Sequence, residues 1–484
     1  MDNKRFSKTK KALIAIIFLI LFLFIWVWHT VTDFPQALEP NQDKPAGMLI
    51  DNVRLISMVP GEPDAEDERA VLVIGDRIDQ IGTAGEVTAP EGVRTIDANG
   101  QTLIPGLIDA HIHLSDEAEL AGYIAHGVTG LRNVSGYPFH LPLSKRIREG
   151  RILGPDFITT GPILNSRGPN ENPLQQTVTT GAEARAAVRD QYNAGYRRVK
   201  LYSNLTHEAY DAILDEAEEL RMRVMGHTPE GKRTEGIPRE KPFKIPWEVS
   251  LGKGFTTFEH IETLVWHSLR GELDEDRMRE VAAKLAASGE AVTTTLIAHK
   301  RLVLIAETKG AYLDRPGSET INPLIRLAQR SAAKYWSQAD PSAYEGPRAE
   351  FHLKATRLLH EAGVPLIAGS DAGIFAIIPG RSMARELELL VEAGLSPREA
   401  LASATRISAQ TLGFEQTGVI APGYRANLVL LPEDPLANIS AVEFPAAVML
   451  RGQWMDHTKL EELREGARNT SLIRSLWRAL QMKL

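Results

Sequence analysis

The sequence contains no cysteine. Disulfides, thiolate zinc sites and cysteine nucleophiles are therefore excluded, and any metal must be held by imidazole, carboxylate or a less usual ligand. Aromatic side chains make up only 6% of the 484 residues. The body of the chain has no basic block and the formal net charge is −7, which argues against nucleic acid as a partner. What remains is an ordinary globular composition, 43% hydrophobic and 24% charged. The length fits two or three domains, or one large barrel with an accessory unit.

The one long apolar run lies near the N-terminus. Lys4, Arg5, Lys8, Lys10 and Lys11 precede ALIAIIFLILFLFIWVW (Ala12 to Trp28), 17 residues without a charge. As a helix this run is about 26 Å long, extendable through Val31, with Trp26 and Trp28 where an interfacial aromatic belt would lie. It is longer than a signal-peptide core and lacks a convincing small-residue cleavage pattern. An uncleaved signal anchor is the primary reading, and secretion after signal cleavage is the alternative. The positive-inside rule keeps residues 1–31 as a cytoplasmic tail and transmembrane anchor and places the rest outside the cytoplasm. Residues 32–47, with Pro35, Pro40 and Pro45, read as a linker.

Segments 48–104 and 413–455 hold short apolar runs broken by Gly and Asn-Gly turns, the pattern of strands. Together they predict a small β-sandwich built from both chain ends. Between them, residues 105–412 alternate strand-like segments (107–114, 128–134, 157–161, 198–203, 224–228, 256–260, 292–297 and 365–371) with amphipathic helices. That alternation predicts an α/β fold, a parallel (β/α)8 TIM-like barrel, with chemistry at the C-terminal strand ends. The Lys/Arg/Pro-rich stretch 229–246 is long enough to cover the barrel mouth. Residues 456–484 predict a C-terminal amphipathic helix with Leu472, Ile473, Leu476, Trp477 and Leu480 on one face. Docking of that helix on the barrel and seating on a membrane surface are both open.

The sharpest motif is His111-Ile112-His113. Residues two apart in a strand point to the same side, so two imidazoles leave the first barrel strand together and can hold one ion; neutral imidazole suits zinc. Lys200 in RVKLYS, His227 in VMGHTP, His260 at the end of TTFEH and Asp371 in IAGSDAG all fall at or near other strand ends. Tyr202 shares the side of Lys200. Arg132 ends the second strand and His140 lies in the loop after it. These last three are candidate substrate contacts, with a barrel salt bridge the competing reading of Arg132. His126, His207, His267, His299, His352, His360 and His457 lack strand-end context and read as surface or structural. Asn133, Asn204, Asn438 and Asn469 lie in N-glycosylation sequons.

On these motifs, with PGLIDAHIHL after the first strand-rich segment and GVIAPGYRANLVLL leading back into the second, residues 48–455 resemble the amidohydrolase superfamily of metal-dependent hydrolases. The resemblance is nearest to its imidazolonepropionase-like and prolidase-like branch. It implies a distorted (β/α)8 barrel with two divalent ions, zinc first among the choices. His111 and His113 would bind the buried ion, and His227 and His260 the more exposed one. Lys200 would be N6-carboxylated and bridge both, and Asp371 would be ligand and proton acceptor. The chemistry is coherent: a lysine ammonium repels cations, but burial favours the neutral amine, which adds carbon dioxide to give an anionic carbamate. The implied activity is cleavage of an amide or peptide C–N bond in a small-molecule or dipeptide-like substrate by a metal-bridging hydroxide. A dipeptidase or N-acyl-amino-acid hydrolase is the first expectation. A mononuclear deaminase or cyclic-amide hydrolase with unmodified Lys200 is the alternative, and a catalytically silent binding protein a remote one. Two positions depart from the family pattern: Asn427 stands where Asp is usual, and Met383 near a place where relatives often carry His. Oligomeric state is not legible.

Overall fold

In the computed structural model, residues 8–40, 46–168, 171–231, 243–270, 272–342 and 345–481 are described. The tail 1–7, part of the expected linker, most of the expected mouth loop (232–242) and residues 482–484 lie outside them. The strands in chain order are β1 (Gly47–Leu55), β2 (Glu66–Ile74), β3 (Arg77–Thr83), β4 (Val93–Asp97), β5 (Thr102–Pro105), β6 (Leu107–Ile112), β7 (Val128–Asn133), β8 (Asp156–Thr159), β9 (Leu164–Asn165), β10 (Gln176–Thr177), β11 (Arg198–Leu201), β12 (Arg223–Gly226), β13 (Phe255–Glu259), β14 (Ala291–Thr293), β15 (Leu366–Ile367), β16 (Leu428–Leu431), β17 (Ala447–Leu450) and β18 (Gln453–Met455).

Both chain ends build one sheet. Its order is β18-β17-β16-β5-β1-β2-β3, with β4 also paired to β1. The two halves of the expected sandwich are joined in one ladder because β5 runs parallel to β1 and antiparallel to β16. Strand β1 buries Met48 and Ile50, then Val53 and Leu55, in the same cluster as Leu428, Leu430 and Met449. Alternation would send Val53 to the opposite face. A register shift between Ile50 and Val53, with Asn52 at φ +56°, resets it.

The middle of the chain forms the barrel. Strands β6-β7-β8 are parallel, as are β9-β11-β12-β13-β14-β15. Backbone bonds close the seams: Gly161 N to Arg198 O at 3.0 Å, Ala110 N to Ala368 O at 3.0 Å and His113 N to Ala372 O at 2.7 Å. Helices alternate with the strands because the sequence punctuates them. Asp274 caps the helix Glu275–Ser288 by accepting from the N–H groups of Asp276 and Arg277, and Gly289 at φ +79° ends it. Since the barrel strands run in one direction, their C-terminal ends gather on one face.

The N-terminal helix Lys8–Thr32 is long and apolar enough to cross a membrane: the apolar window from Ala12 on has a mean hydropathy of 2.7 and none of it is buried. Of the four sequons, Asn133 and Asn204 are fully buried and are not available to a glycan. Asn427 braces the sheet, bonding Asp156 Oδ2 at 3.2 Å and accepting from Arg451 N at 2.8 Å. Met383 is a buried core residue.

Gly373 marks the tightest point of the barrel seam. Its φ is +96°, and a Cβ there would lie 1.9 Å from the carbonyl oxygen of His113. Gly373→Ala should therefore cost about 3 kcal/mol or more, from strain plus collision. Gly252 also has positive φ but open space around it, so Gly252→Ala should cost about 1–2 kcal/mol. Urea unfolding of the two variants checks the contrast; equal effects would contradict it.

Candidate metal centre

The end of strand β6 delivers His111, and His113 just beyond it, with ring centroids 5.3 Å apart. The end of the last barrel strand brings Asp371 to them. Its Oδ1 lies 3.1 Å from His113 Nε2 and 3.5 Å from His111 Nε2. These three offer ligand atoms within 4.8 Å of one another. The ring of His260, after β13, lies tilted 4.4 Å from that of His111 and 4.7 Å from that of His227, after β12. The structure thus gathers His111, His113, His227, His260 and Asp371 at one end of the barrel, with Lys200 of β11 among them. His260 and Asp371 take φ of +71° and +59°, costing about 1–3 kcal/mol each. Their backbones are pinned: His260 N donates to Thr293 O at 2.9 Å and Asp371 N to His111 O at 2.8 Å.

Each inner ring is held by Nδ1. His111 Nδ1 lies 2.5 Å from Glu259 Oε2; a carboxylate only accepts, so Nδ1 carries the proton. His260 Nδ1 lies 2.7 Å from Thr295 Oγ1, whose own proton goes to Thr294 O. His227 Nδ1 pairs with Thr263 Oγ1 at 3.2 Å. For His111 and His260 the Nε2 lone pair is left to face an ion, the arrangement of metal-binding histidines with outer partners. Burial holds His111, His227 and His260 below the ordinary imidazole pKa. Burial alone would raise Asp371, but His113, His111 and His260 beside it hold the carboxyl below its ordinary value.

Three buried polar atoms here have no hydrogen-bond partner: His111 Nε2, Asp371 Oδ1 and Lys200 Nζ. Leaving such atoms unsatisfied costs about 1–3 kcal/mol each. Burial lowers the Lys200 pKa to about 8, with Arg132 adding to it against Glu259. An orphaned amine among imidazoles and a carboxylate fits a divalent metal site and has no other evident use.

Two expected substrate contacts are corrected. Arg132 is fully buried in the barrel interior. Its Nη2 donates to Glu259 Oε1 at 2.8 Å and Thr293 Oγ1 at 2.9 Å, its Nη1 to Thr257 Oγ1 at 2.7 Å and its Nε to Ala110 O at 2.5 Å. Nothing is left for a ligand. His140 is also fully buried. Its Nδ1 accepts from Tyr137 N and its Nε2 donates to Leu114 O, each at 2.9 Å, so it ties together the loops after β6 and β7. Burial pushes its pKa down to about 3. Tyr202 stays with the site, 4.1 Å from the His227 ring. A cavity of about 330 Å³ opens beside it, lined by His227, Trp266, His299, Arg348 and His352. His299 and His352 had no strand-end signal because they sit on helices; the fold brings their rings within 4.6 Å of each other on the cavity wall. Glu259 was also missed. The signal for it was a carboxylate inside TTFEH, which must find a partner when buried, and Arg132 was the matching charge.

A (β/α)8 barrel with convergent imidazoles and a carboxylate at its strand ends defines a metal-dependent hydrolase acting on C–N bonds. The chain belongs to the amidohydrolase family, whose model matches residues 102–455; this family generally binds divalent metals. An ochratoxinase from Aspergillus niger is 24% identical, over 81% of this chain and 83% of its own length. Among solved structures, the bottromycin amidohydrolase superposes with a TM-score of 0.70 at 23% identity, over 90% of this chain and 95% of its own. A Xaa-Pro dipeptidase with bound methionine superposes at 0.62 and 19% identity, over 85% of this chain and 100% of its own.

The buried network makes a distinction that can be measured. Arg132→Met should lower stability by about 3–5 kcal/mol, because Glu259 then loses its buried counter-charge; a substrate contact would instead raise KM at unchanged Tm. Glu259→Gln should weaken metal binding about 10–100-fold by releasing His111 Nδ1, read by competition with a chromophoric chelator. Unchanged affinity would remove Glu259 from the site.

Proposed function

We propose that the protein is a membrane-anchored, extracytoplasmic binuclear amidohydrolase that cleaves dipeptides or N-acyl amino acids. The observation that carries the reading is the Lys200 amine, buried without a hydrogen bond among five potential ligands. His111, His113 and Asp371 would hold one ion, His227 and His260 the other, and N6-carboxylated Lys200 would bridge them. Two divalent ions in such a site supply a polarised carbonyl and a water acidic enough to attack it near neutral pH. Asp371 Oδ1 would take the proton from that water and pass it to the departing amine nitrogen, so that no covalent bond to the protein forms. The flanking seam bonds to His111 O and His113 N fix Asp371 for both transfers.

The cavity supports the substrate class. Arg348, His299 and His352 line it together with Tyr202, Glu230 and Glu262; His299 pairs with Glu262 at 3.2 Å, so Arg348 is the group there that would meet a substrate carboxylate. Tyr202, beside His227, would hydrogen-bond the substrate or the tetrahedral intermediate. The Lys-rich start and the exposed apolar helix Lys8–Thr32 support an anchor that leaves the catalytic barrel outside the cytoplasm.

A panel of dipeptides, N-acyl amino acids, their C-terminal amides and cyclic amides tests this. Free-acid substrates should be cleaved, and amidation should lower kcat/KM at least about 10-fold by removing a charge-assisted bond. Asp371→Asn should lower kcat about 10²–10⁴-fold, and Tyr202→Phe about 10²-fold if its hydroxyl stabilises the oxyanion. Turnover confined to cyclic amides or amino-heterocycles would overturn the reading in favour of a mononuclear deaminase or cyclic-amide hydrolase.

A further inference from the structure

The C-terminal helix, Leu472–Leu480, docks with the wrong face for a water-soluble protein. Its arginines point inward. Arg474 is 4% exposed and its Nε donates to both oxygens of Asp116 at 2.9 Å. Arg478 Nη2 donates to Glu117 Oε1 at 2.5 Å, and its guanidinium lies 4.8 Å from the Phe139 ring centre. The apolar residues point outward: Leu476 is 49% exposed, Trp477 39% and Leu480 50%. A surface helix normally buries its apolar stripe and leaves arginines in water. Here the arginine face is the glue, and about half of the apolar stripe is left uncovered.

The position of this helix says what covers the stripe. It packs against the N-terminal helix Lys8–Thr32. Arg474 Nη1 donates to the carbonyl of Asp33 at 3.0 Å, one residue beyond the end of that helix. Between the two helices runs a cleft of about 610 Å³, walled by Phe24, Val27, Trp28, Val31 and Trp477 and also lined by Arg146 and Arg478. The outward stripe is therefore continuous with the exposed apolar surface of the first helix, at the point where the chain leaves it.

We propose that the C-terminal helix is a second membrane contact, lying in the boundary between lipid headgroups and acyl chains. Leu476, Trp477 and Leu480 enter the apolar layer, and Arg146, which lines the cleft beside them, faces anionic headgroups. The proposal rests on the reading of Lys8–Thr32 as a membrane anchor. Interfacial helices of this kind sit with the apolar face about 5–10 Å into the boundary, and tryptophan favours that depth. Nine residues bind weakly alone, but the anchor holds them at high effective concentration against the surface. The contact also reaches the metal centre. Asp116, gripped by Arg474 and by Ser471 N at 2.8 Å, is three residues beyond His113. Lipid seating of the helix thus braces the loop that follows the first ligand pair.

The absence of cysteine makes a clean test. Full-length chains carrying a single substitution, Leu480→Cys, Phe22→Cys or Asp190→Cys, are labelled with an environment-sensitive fluorophore. They are reconstituted into phosphatidylcholine–phosphatidylglycerol vesicles containing lipid-borne nitroxide quenchers. All three positions are exposed, so the labels leave the fold intact. The expected result is a blue-shifted, strongly quenched label at positions 480 and 22 and an unaffected one at 190. Quenching at 22 with position 480 behaving like 190 would overturn the second contact and leave the anchor standing. No quenching at 22 would overturn the anchor and this proposal with it.

Discussion

The interaction on which the site depends is the buried contact between Arg132 and Glu259. Neither side chain is exposed at all, and a pair of charges taken this far from water is tolerable only when every lone pair and proton is used. Here they are used. Arg132 spans three strands to reach Ala110, Thr257 and Thr293, and Glu259 turns its second oxygen to His111. The pair therefore fixes the His111 tautomer and aims its Nε2. Its two charges act on Lys200 in opposite senses, Glu259 raising the pKa and Arg132 lowering it, so burial is what makes the Lys200 amine easy to deprotonate. Removing either member would reach the ligands without touching them.

A second constraint comes from the backbone. His260 and Asp371 occupy positive φ, and Gly369 and Gly373 pass so close to His111 and His113 that a Cβ would collide with them. The barrel seam and the metal centre are thus the same piece of structure. Closing the barrel places the ligands, and the glycines are required because the first strand and the chain after the last must nearly touch.

Much of this was legible in the sequence, for a physical reason. Strands of a parallel barrel announce themselves by short apolar runs, and residues at their ends are fixed to one face by the period of two. That places His111, His113, Lys200, His227, His260 and Asp371 together from the sequence alone. For Arg132 the strand position left a substrate contact and a barrel salt bridge both open, and the structure shows the salt bridge; His140 was misjudged because loop position does not say whether a side chain is buried. His299 and His352 were passed over because helical residues reach the cavity only through tertiary packing. The join between the two strand-rich ends is a matter of pairing through β5, which local pattern does not encode. The C-terminal helix shows the same limit: its amphipathicity was plain, but which face would dock was not.

The account stands or falls on what Lys200 holds. The most direct measurement is the native mass and metal content of the detergent-solubilised full chain beside that of Lys200→Ala. Two metal ions and one carbon dioxide adduct in the natural chain, with the adduct absent from the variant, is the predicted result. One ion with an unmodified lysine would contradict the binuclear centre and leave the orphaned amine without an explanation.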